Sequence, residues 1–314
     1  MSKIQAIVVD PAVSGRLTLR EVDSPTPAPN EALVRVAAIS LNRGEIRRSQ
    51  TAEAGWRPGW DLAGTIETAA ADGSSPQAGT RVVGFVPSGA WGELVAVSTT
   101  AIASLPESVS FAQASTLPVA GLTAYHALKQ GGLLLGKSVL ITGASGGVGH
   151  FAIQLARLSG AQVTAHIRKP ESESLVKEVG AHAIVIGEDL PSNSAPYDLI
   201  VESVGGKTLS AALATIAEDG VVVLFGTSGG NEVTFNAQRF YGNSNGAKLY
   251  ALMLFHELRH ESPNVGLRRL LNLIDLDQLK PHIAVEAPWT DIAKVAQQLI
   301  DRQFVGKAVL HIGS

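Results

Sequence analysis

An α/β fold is predicted for this chain, with a doubly wound parallel sheet following a smaller β-rich domain. Three observations predict it. From about Thr116 onward, short apolar runs alternate with amphipathic stretches, the pattern of strands and crossover helices. Before that point, β-branched runs follow one another with Gly and Pro between them and no helices, as in a small barrel-like domain. Where the second pattern is established, Val139–Leu155 (VLITGASGGVGHFAIQL) joins an apolar strand to a helix through a glycine-rich turn.

That stretch organises the chain. Val139, Leu140 and Ile141 form the apolar run of a buried parallel strand. Val148, Ala152 and Leu155 recur at the spacing of a helix lying on a sheet. The turn between them, Ala144-Ser145-Gly146-Gly147-Val148-Gly149, fits G-x-G-x-x-G except that alanine holds the first place, with Gly143 just ahead. Gly146 lets backbone approach a pyrophosphate with no Cβ in the way, and Gly149 lets the helix pack closely on the strand. The helix N-terminus offers unpaired N–H groups and a partial positive charge. Strand, turn and helix in this order make the first unit of a Rossmann domain.

In the N-terminal region Ile4–Val9, Leu17–Val22, Ala32–Ile39, Gly64–Thr68, Arg81–Val86 and Glu93–Ala96 read as strands. The proline-rich 24–29 segment is a turn or linker. Leu117–Gln130 reads as a helix ended by Gly131-Gly132. Strands follow at Val139–Thr142, Gln162–Ile167, Ala183–Ile186, Leu199–Glu202, Val221–Gly226 and Lys248–Leu254, with helices at Val148–Leu158, Glu171–Val179 and Thr208–Ala217. The tail gives helices at Pro263–Ile274 and Trp289–Arg302 and a closing strand at Lys307–Ile312. That strand is expected to return to the β-rich domain, which is then discontinuous: residues 1–118 with 262–314, around a nucleotide-binding domain at 119–261.

The 314 residues suit two domains, and 45% apolar content suits a large core. A net charge of −3 implies no general attraction to nucleic acid. With no cysteine, disulfides, thiolate metal sites and a cysteine nucleophile are excluded, and a reducing cytosol fits. The N-terminal apolar run is too short for a signal peptide, and no stretch reaches the roughly 18 apolar residues of a membrane span, so a cytoplasmic protein is expected. His256 and His260 stand at i, i+4, but the run HELRH is not a zinc motif and reads as a solvated helix face.

Further motifs stand in order along the chain: Ser40-Leu41-Asn42 with Glu45; Pro58-Gly59-Trp60-Asp61-Leu62-Ala63-Gly64; Leu117–His126; the glycine turn; Glu202-Ser203-Val204-Gly205-Gly206; Leu224-Phe225-Gly226-Thr227; and Gly306-Lys307 opening the final strand. In this order they resemble the medium-chain dehydrogenase/reductase superfamily, over nearly the whole chain. The resemblance implies a GroES-like domain for the β-rich part. It also implies substrate or cofactor contacts from Asn42, Glu45 and Thr123, and cofactor contacts from Val204, Gly205, Phe225, Gly226, Thr227, Gly306 and Lys307, beside Ser145, Gly146, Gly147, Val148 and Gly149 of the turn. Zinc-using relatives hold metal with Cys, His and Cys; here those places carry Asn42, Trp60 and Val119 or Ala120. The chain therefore resembles the zinc-independent quinone oxidoreductase-like branch.

The second strand of the nucleotide-binding domain ends His166-Ile167-Arg168-Lys169, with cations where NAD enzymes carry an acid for the ribose 2′-hydroxyl. Arg168 and Lys169 therefore point to a 2′-phosphate and to NADPH. The expected activity is hydride transfer to a quinone or an α,β-unsaturated carbonyl, in a cleft between the domains. Asn42 and backbone N–H groups are candidate oxyanion donors, and Tyr241 and Tyr250 candidate proton donors. A zinc-free alcohol dehydrogenase, or a non-enzymatic NADPH-binding protein of crystallin-like or nucleic-acid-binding kind, are the alternatives. The resemblance implies a homodimer, paired through an edge strand at Lys248–Leu254 or Glu232–Phe235.

Overall fold

The computed structural model describes residues 2–190 and 196–313. In chain order the first elements are β1 (Lys3–Val9), β2 (Leu17–Asp23), β3 (Glu31–Ser40), α1 (Arg43–Ser49), β4 (Asp61–Thr68), β5 (Arg81–Phe85), β6 (Leu94–Ser98), β7 (Ile102–Ser104) and α2 (Phe111–Ser115). Then come α3 (Leu122–Lys129), β8 (Ser138–Thr142), α4 (Gly147–Leu158), β9 (Gln162–Ile167), α5 (Glu173–Glu178), β10 (Ala183–Ile186), β11 (Tyr197–Glu202), α6 (Gly206–Ala214) and β12 (Ile216–Leu224). The last are α7 (Ala237–Asn243), β13 (Lys248–Ala251), α8 (Leu254–Glu257), α9 (Pro263–Asp275), β14 (Ile283–Pro288), α10 (Ile292–Ile300) and β15 (Lys307–His311). The chain divides into two compact units, Met1–Leu122 with Leu258–Ser314, and Thr123–Glu257. Residues 119–122 and 258–261 thus go with the β-rich unit.

In that unit β3 is the hub. Its alternating residues Ala32, Val34, Val36 and Ala38 turn one face to the core, and it pairs antiparallel with β4, β6 and β15. The closing strand β15 returns to β3 (Leu310 opposite Ile39) and carries β14 on its other side in parallel. Trp91, Ile39, Leu62 and Ile46 fill the core, joined by Trp289, Ile292 and Val295 from the tail. β4 approaches β3 so closely at Gly64 that an added Cβ would stand 2.1 Å from the Arg35 carbonyl oxygen.

The second unit is a six-stranded parallel sheet in the order β10-β9-β8-β11-β12-β13. Counted within the unit this is 3-2-1-4-5-6, the doubly wound order, and the chain reverses its direction of travel between β8 and β11. Val139, Leu140, Ile141, Leu199, Ile200 and Val201 of the two central strands are fully buried, as a sheet covered on both faces requires. Gly149 lets α4 lie down on β8: a Cβ there would meet Ala144 backbone at 2.6 Å.

Several boundaries depart from the sequence reading. The helix expected over Thr208–Ala217 stops at Ala214, where Thr215 turns its N–H and hydroxyl back onto the Ala212 carbonyl. Ile216 and Ala217 already belong to β12, which passes the expected turn with Asp219 at φ 56° opposite a register shift in β11. The strand expected to run to Leu254 ends at Ala251, and Leu254 opens the single turn α8. No strand forms over 232–235, so the edges of this sheet are β10 and β13. Leu117–Gly121 forms one widened helical turn ahead of α3, with Pro118 in its first turn.

The Gly64 contact yields a test. Gly64→Ala forces backbone apart at the centre of the sheet, and should destabilise the protein by about 3 kcal/mol or more, read by urea unfolding. A loss below about 1 kcal/mol contradicts the close approach.

Candidate cofactor site and a buried charge cluster

At the carboxyl ends of the central strands, three loops are tied together. The turn after β8 carries Gly143 at φ 57°, where an added Cβ would strike the Ser203 hydroxyl at 2.5 Å. The loop after β11 is held by Thr142, whose carbonyl accepts the Ser203 hydroxyl at 3.0 Å and whose Oγ1 accepts the Ser203 N–H at 3.0 Å. The loop after β12 joins it: the Ser228 hydroxyl donates to Ser203 O at 3.1 Å, and Gly229 N–H donates to Val204 O.

Glu202 ends β11 fully buried. Its carboxylate accepts the Thr142 hydroxyl at 3.0 Å, the Val204 N–H at 2.8 Å and the Gly205 N–H at 2.9 Å. Burial pushes this carboxyl above the usual range, and the converging donors pull it back.

The result is a row of half-exposed loop residues at the switch point, the place where open α/β sheets take ligands. Ser145, Gly146, Gly147 and Val148 stand half-buried at the start of α4. Ser203, Val204, Phe225 and Gly226 are half-buried beside them, Gly205 is buried and Thr227 exposed. Gly146 caps α4 in an extended conformation, and the nearest neighbour of an added Cβ is the Gly143 carbonyl oxygen at 3.2 Å. Backbone free of side chain at the N-terminus of a 12-residue helix fits a dinucleotide's phosphates. Arg168 and Lys169 are exposed at the carboxyl end of β9.

The residues expected to touch substrate or cofactor in the β-rich unit are instead spent on one another. Asn42 precedes α1, and its Nδ2 donates to Asp61 at 2.7 Å and to Glu45 at 3.1 Å. Its Oδ1 accepts Lys307 Nζ at 2.7 Å, and Lys307 also donates to Leu41 O at 2.9 Å. Asp61 receives further bonds from the Ser40 hydroxyl at 2.7 Å and the Val119 N–H at 3.0 Å, and Lys307 Nζ lies 3.6 Å away. Glu45, Asp61 and Lys307 are all buried. Asn42 therefore has no free amide proton for an oxyanion, and Glu45 and Lys307 position α1 and β15. Gly306, at φ 98°, turns the chain into β15 against His282.

Every contact of Asp61 is a donor, so it is ionised opposite Lys307; burial raises its pKa, and Lys307, Asn42, Ser40 and Val119 offset this. Burial likewise lowers Lys307 and the two carboxyls oppose it. Glu45 differs. Its Oε1 accepts the Asn42 N–H at 2.6 Å, while its buried Oε2 has no hydrogen-bond partner among the described residues. Burial, and then the Asp61 charge, push Glu45 well up, and the neutral acid fits this site.

Of the two tyrosines, Tyr241 is 81% exposed on α7. Tyr250, in β13, donates its hydroxyl to Glu257 at 2.5 Å, which pushes its pKa up, and the other Glu257 oxygen lies 3.9 Å from His126 Nδ1. The structure does not join the tyrosines into one site. Thr123 is buried on α3, one turn before His126.

Thr142, Asp61, Glu202 and Glu257 had no role in the sequence reading. For Glu202 the signal was present: it is a carboxylate at the end of the apolar run Leu199–Val201, where burial demands donors. Among the described residues, no group of three or more His, Asp or Glu could hold a metal ion, and no helix is long and apolar enough to cross a membrane. Where relatives carry zinc ligands, this chain has the engaged amide of Asn42, an indole at Trp60, and either Val119, whose N–H serves Asp61, or Ala120. These do not fit zinc.

Comparison with known proteins agrees with this architecture. Residues 28–107 match the alcohol dehydrogenase GroES-like domain, and residues 147–266 match the zinc-binding dehydrogenase family. The chain is 30% identical over 312 residues to a chloroplast envelope quinone oxidoreductase homolog of Arabidopsis thaliana, covering 92% of each. Among solved structures, the quinone oxidoreductase from Coxiella burnetii is 26% identical, with a TM-score of 0.83 over 98% of this chain and 99% of that one. A mycobacterial protein solved in complex with NADPH is also 26% identical, with a TM-score of 0.86 over 98% and 99%. The chain belongs to the medium-chain dehydrogenase/reductase superfamily, in its quinone oxidoreductase-like branch, and is an oxidoreductase.

The orphaned oxygen of Glu45 gives a test with a definite sign. With its pKa raised in the folded state, Glu45 keeps a proton that the unfolded chain loses above about pH 4.3, so its contribution to stability falls as pH rises from there toward the folded value. Glu45→Gln mimics the neutral acid. Its stability relative to wild type should rise between about pH 4 and pH 8 in paired urea titrations. A gap independent of pH contradicts a neutral Glu45.

Proposed function

We propose that the protein is an NADPH-dependent reductase that delivers hydride to a quinone or an α,β-unsaturated carbonyl without zinc. One observation carries the reading: a glycine turn opens at the switch point of the sheet, and the neighbouring strand β9 ends in two exposed cations. The relatives named as quinone oxidoreductases and the neighbour complexed with NADPH support it.

The bound cofactor would supply the hydride. The chain's part is to hold and orient it. The backbone of Ser145–Gly149 and the N-terminus of α4 meet the pyrophosphate, and Arg168, with Lys169, meets the 2′-phosphate. The loops after β11 and β12 seat the nicotinamide half. In this reading water supplies the proton that the reduced acceptor takes up, since the Tyr250 hydroxyl hydrogen is held by Glu257. The side chains at the zinc-ligand places support a metal-free route. The exposed edge β13, with Leu249 half in solvent, supports pairing of two copies.

Two measurements test the reading. A screen of quinones, enones and enoyl thioesters should show steady oxidation of NADPH with at least one class; none with any removes the activity. Arg168→Ala should raise the Michaelis constant for NADPH at least about tenfold and leave NADH nearly unchanged, with the wild-type preference weakening as salt rises. Equal loss with both cofactors makes Arg168 a plain loop residue.

A further inference from the structure

We propose that Glu202 supplies a buried, uncompensated negative charge to the nicotinamide half of the cofactor site, so that the site favours the positively charged oxidised ring and thereby promotes hydride donation. This rests on the cofactor reading above.

Position comes first. The pyrophosphate belongs at the turn after β8 and the adenosine on the β9 side, where Arg168 stands. The nicotinamide half therefore belongs to the second half of the sheet, at the carboxyl ends of β11 and β12. Glu202 is the last residue of β11. It is 0% exposed, so it acts through space and not by contact.

Charge comes second. Thr142 Oγ1 accepts the Ser203 N–H, and its one hydrogen has Glu202 at 3.0 Å, nearer than the Val201 carbonyl at 3.5 Å. The other partners, the N–H groups of Val204 and Gly205, can only donate. A carboxylate that meets donors alone is in its ionised form. Burial opposes that form, and the number of donors is what makes it tenable.

Compensation comes third. Asp61, the comparable buried carboxylate of the other unit, has Lys307 at 3.6 Å. Glu202 has no cationic side chain within ion-pair distance among the described residues; its partners are dipoles only. An unneutralised charge in a poorly polarisable surround keeps a long reach. Hydride loss turns the nicotinamide from neutral to cationic. A fixed negative charge nearby stabilises the product of that step over its reactant.

A loop-holding role alone would weaken both cofactor forms together, whereas a charge effect separates them. Dissociation constants for NADPH (by its fluorescence) and for NADP+ (by calorimetry) should be measured for wild type, Glu202→Gln and Glu202→Asp. In Glu202→Gln the NADP+ constant should rise about tenfold relative to the NADPH constant. Glu202→Asp, which keeps the charge, should hold the wild-type ratio even if both forms bind less tightly. A ratio unchanged within about twofold in Glu202→Gln overturns the proposal. Should that variant not fold, Glu202→Asn against Glu202→Asp makes the same comparison. Failure of both amides to fold, with Glu202→Asp folded, assigns the charge to the fold alone and also overturns it. Wild type binding neither form removes the cofactor reading itself.

Discussion

The Glu202 carboxylate, taken out of water at the end of β11, can exist there only because donors converge on it. Those donors are the hydroxyl of Thr142 from the neighbouring strand and the backbone N–H groups of the loop that follows. Satisfying one buried charge therefore fixes the path of a loop, and through Ser203 it fixes the distance between the turns after β8 and β11. Leaving such a group unmet costs several kcal/mol, so the loop has few alternative conformations. Rigidity at the carboxyl end of the sheet is what a cofactor site needs, since hydride transfer depends on sub-ångström placement of donor and acceptor.

The β-rich unit solves a similar problem with opposite charges. Asp61 and Lys307 come from β4 and β15, far apart in sequence, and Asn42 bridges them with both ends of its amide. Removing one partner of such a pair leaves a buried charge alone, a loss of about 3–5 kcal/mol in comparable cases. The cluster thus couples the return of the C-terminal strand to the start of α1. Glu45, pushed toward its neutral form by burial and by the Asp61 charge, adds a hydrogen-bond acceptor to the cluster.

Much of the fold was legible because it follows from periodicity. The apolar run Val139–Ile141, the stripe on α4 and the glycine turn needed nothing beyond local pattern, and β3, β9 and β15 were equally plain. The places that misled were those where tertiary pairing overrides local preference. Ile216 reads as the last apolar residue of a helix, yet it pairs with Tyr197 across the sheet. The partially buried strand β14 was not read at all; its identity comes from lying beside β15. Beside the site, the packing role of Gly149 was readable because glycine announces close approach. The inward roles of Asn42, Glu45 and Lys307 were not. A sequence shows that a polar residue stands near a motif, but not whether its atoms face solvent or one another.

The central claim is that the glycine turn after β8, held by this hydrogen-bonded frame, receives the cofactor's pyrophosphate. Titration of NADPH into wild type and Gly146→Val tests it most directly. Gly146 has φ −75° and ψ 170°, which valine tolerates, so the variant should fold with a near-normal melting temperature. Its affinity for NADPH should fall by about a hundredfold or more, because a branched side chain would stand where phosphate oxygens meet backbone. A folded variant with unchanged affinity would contradict the account.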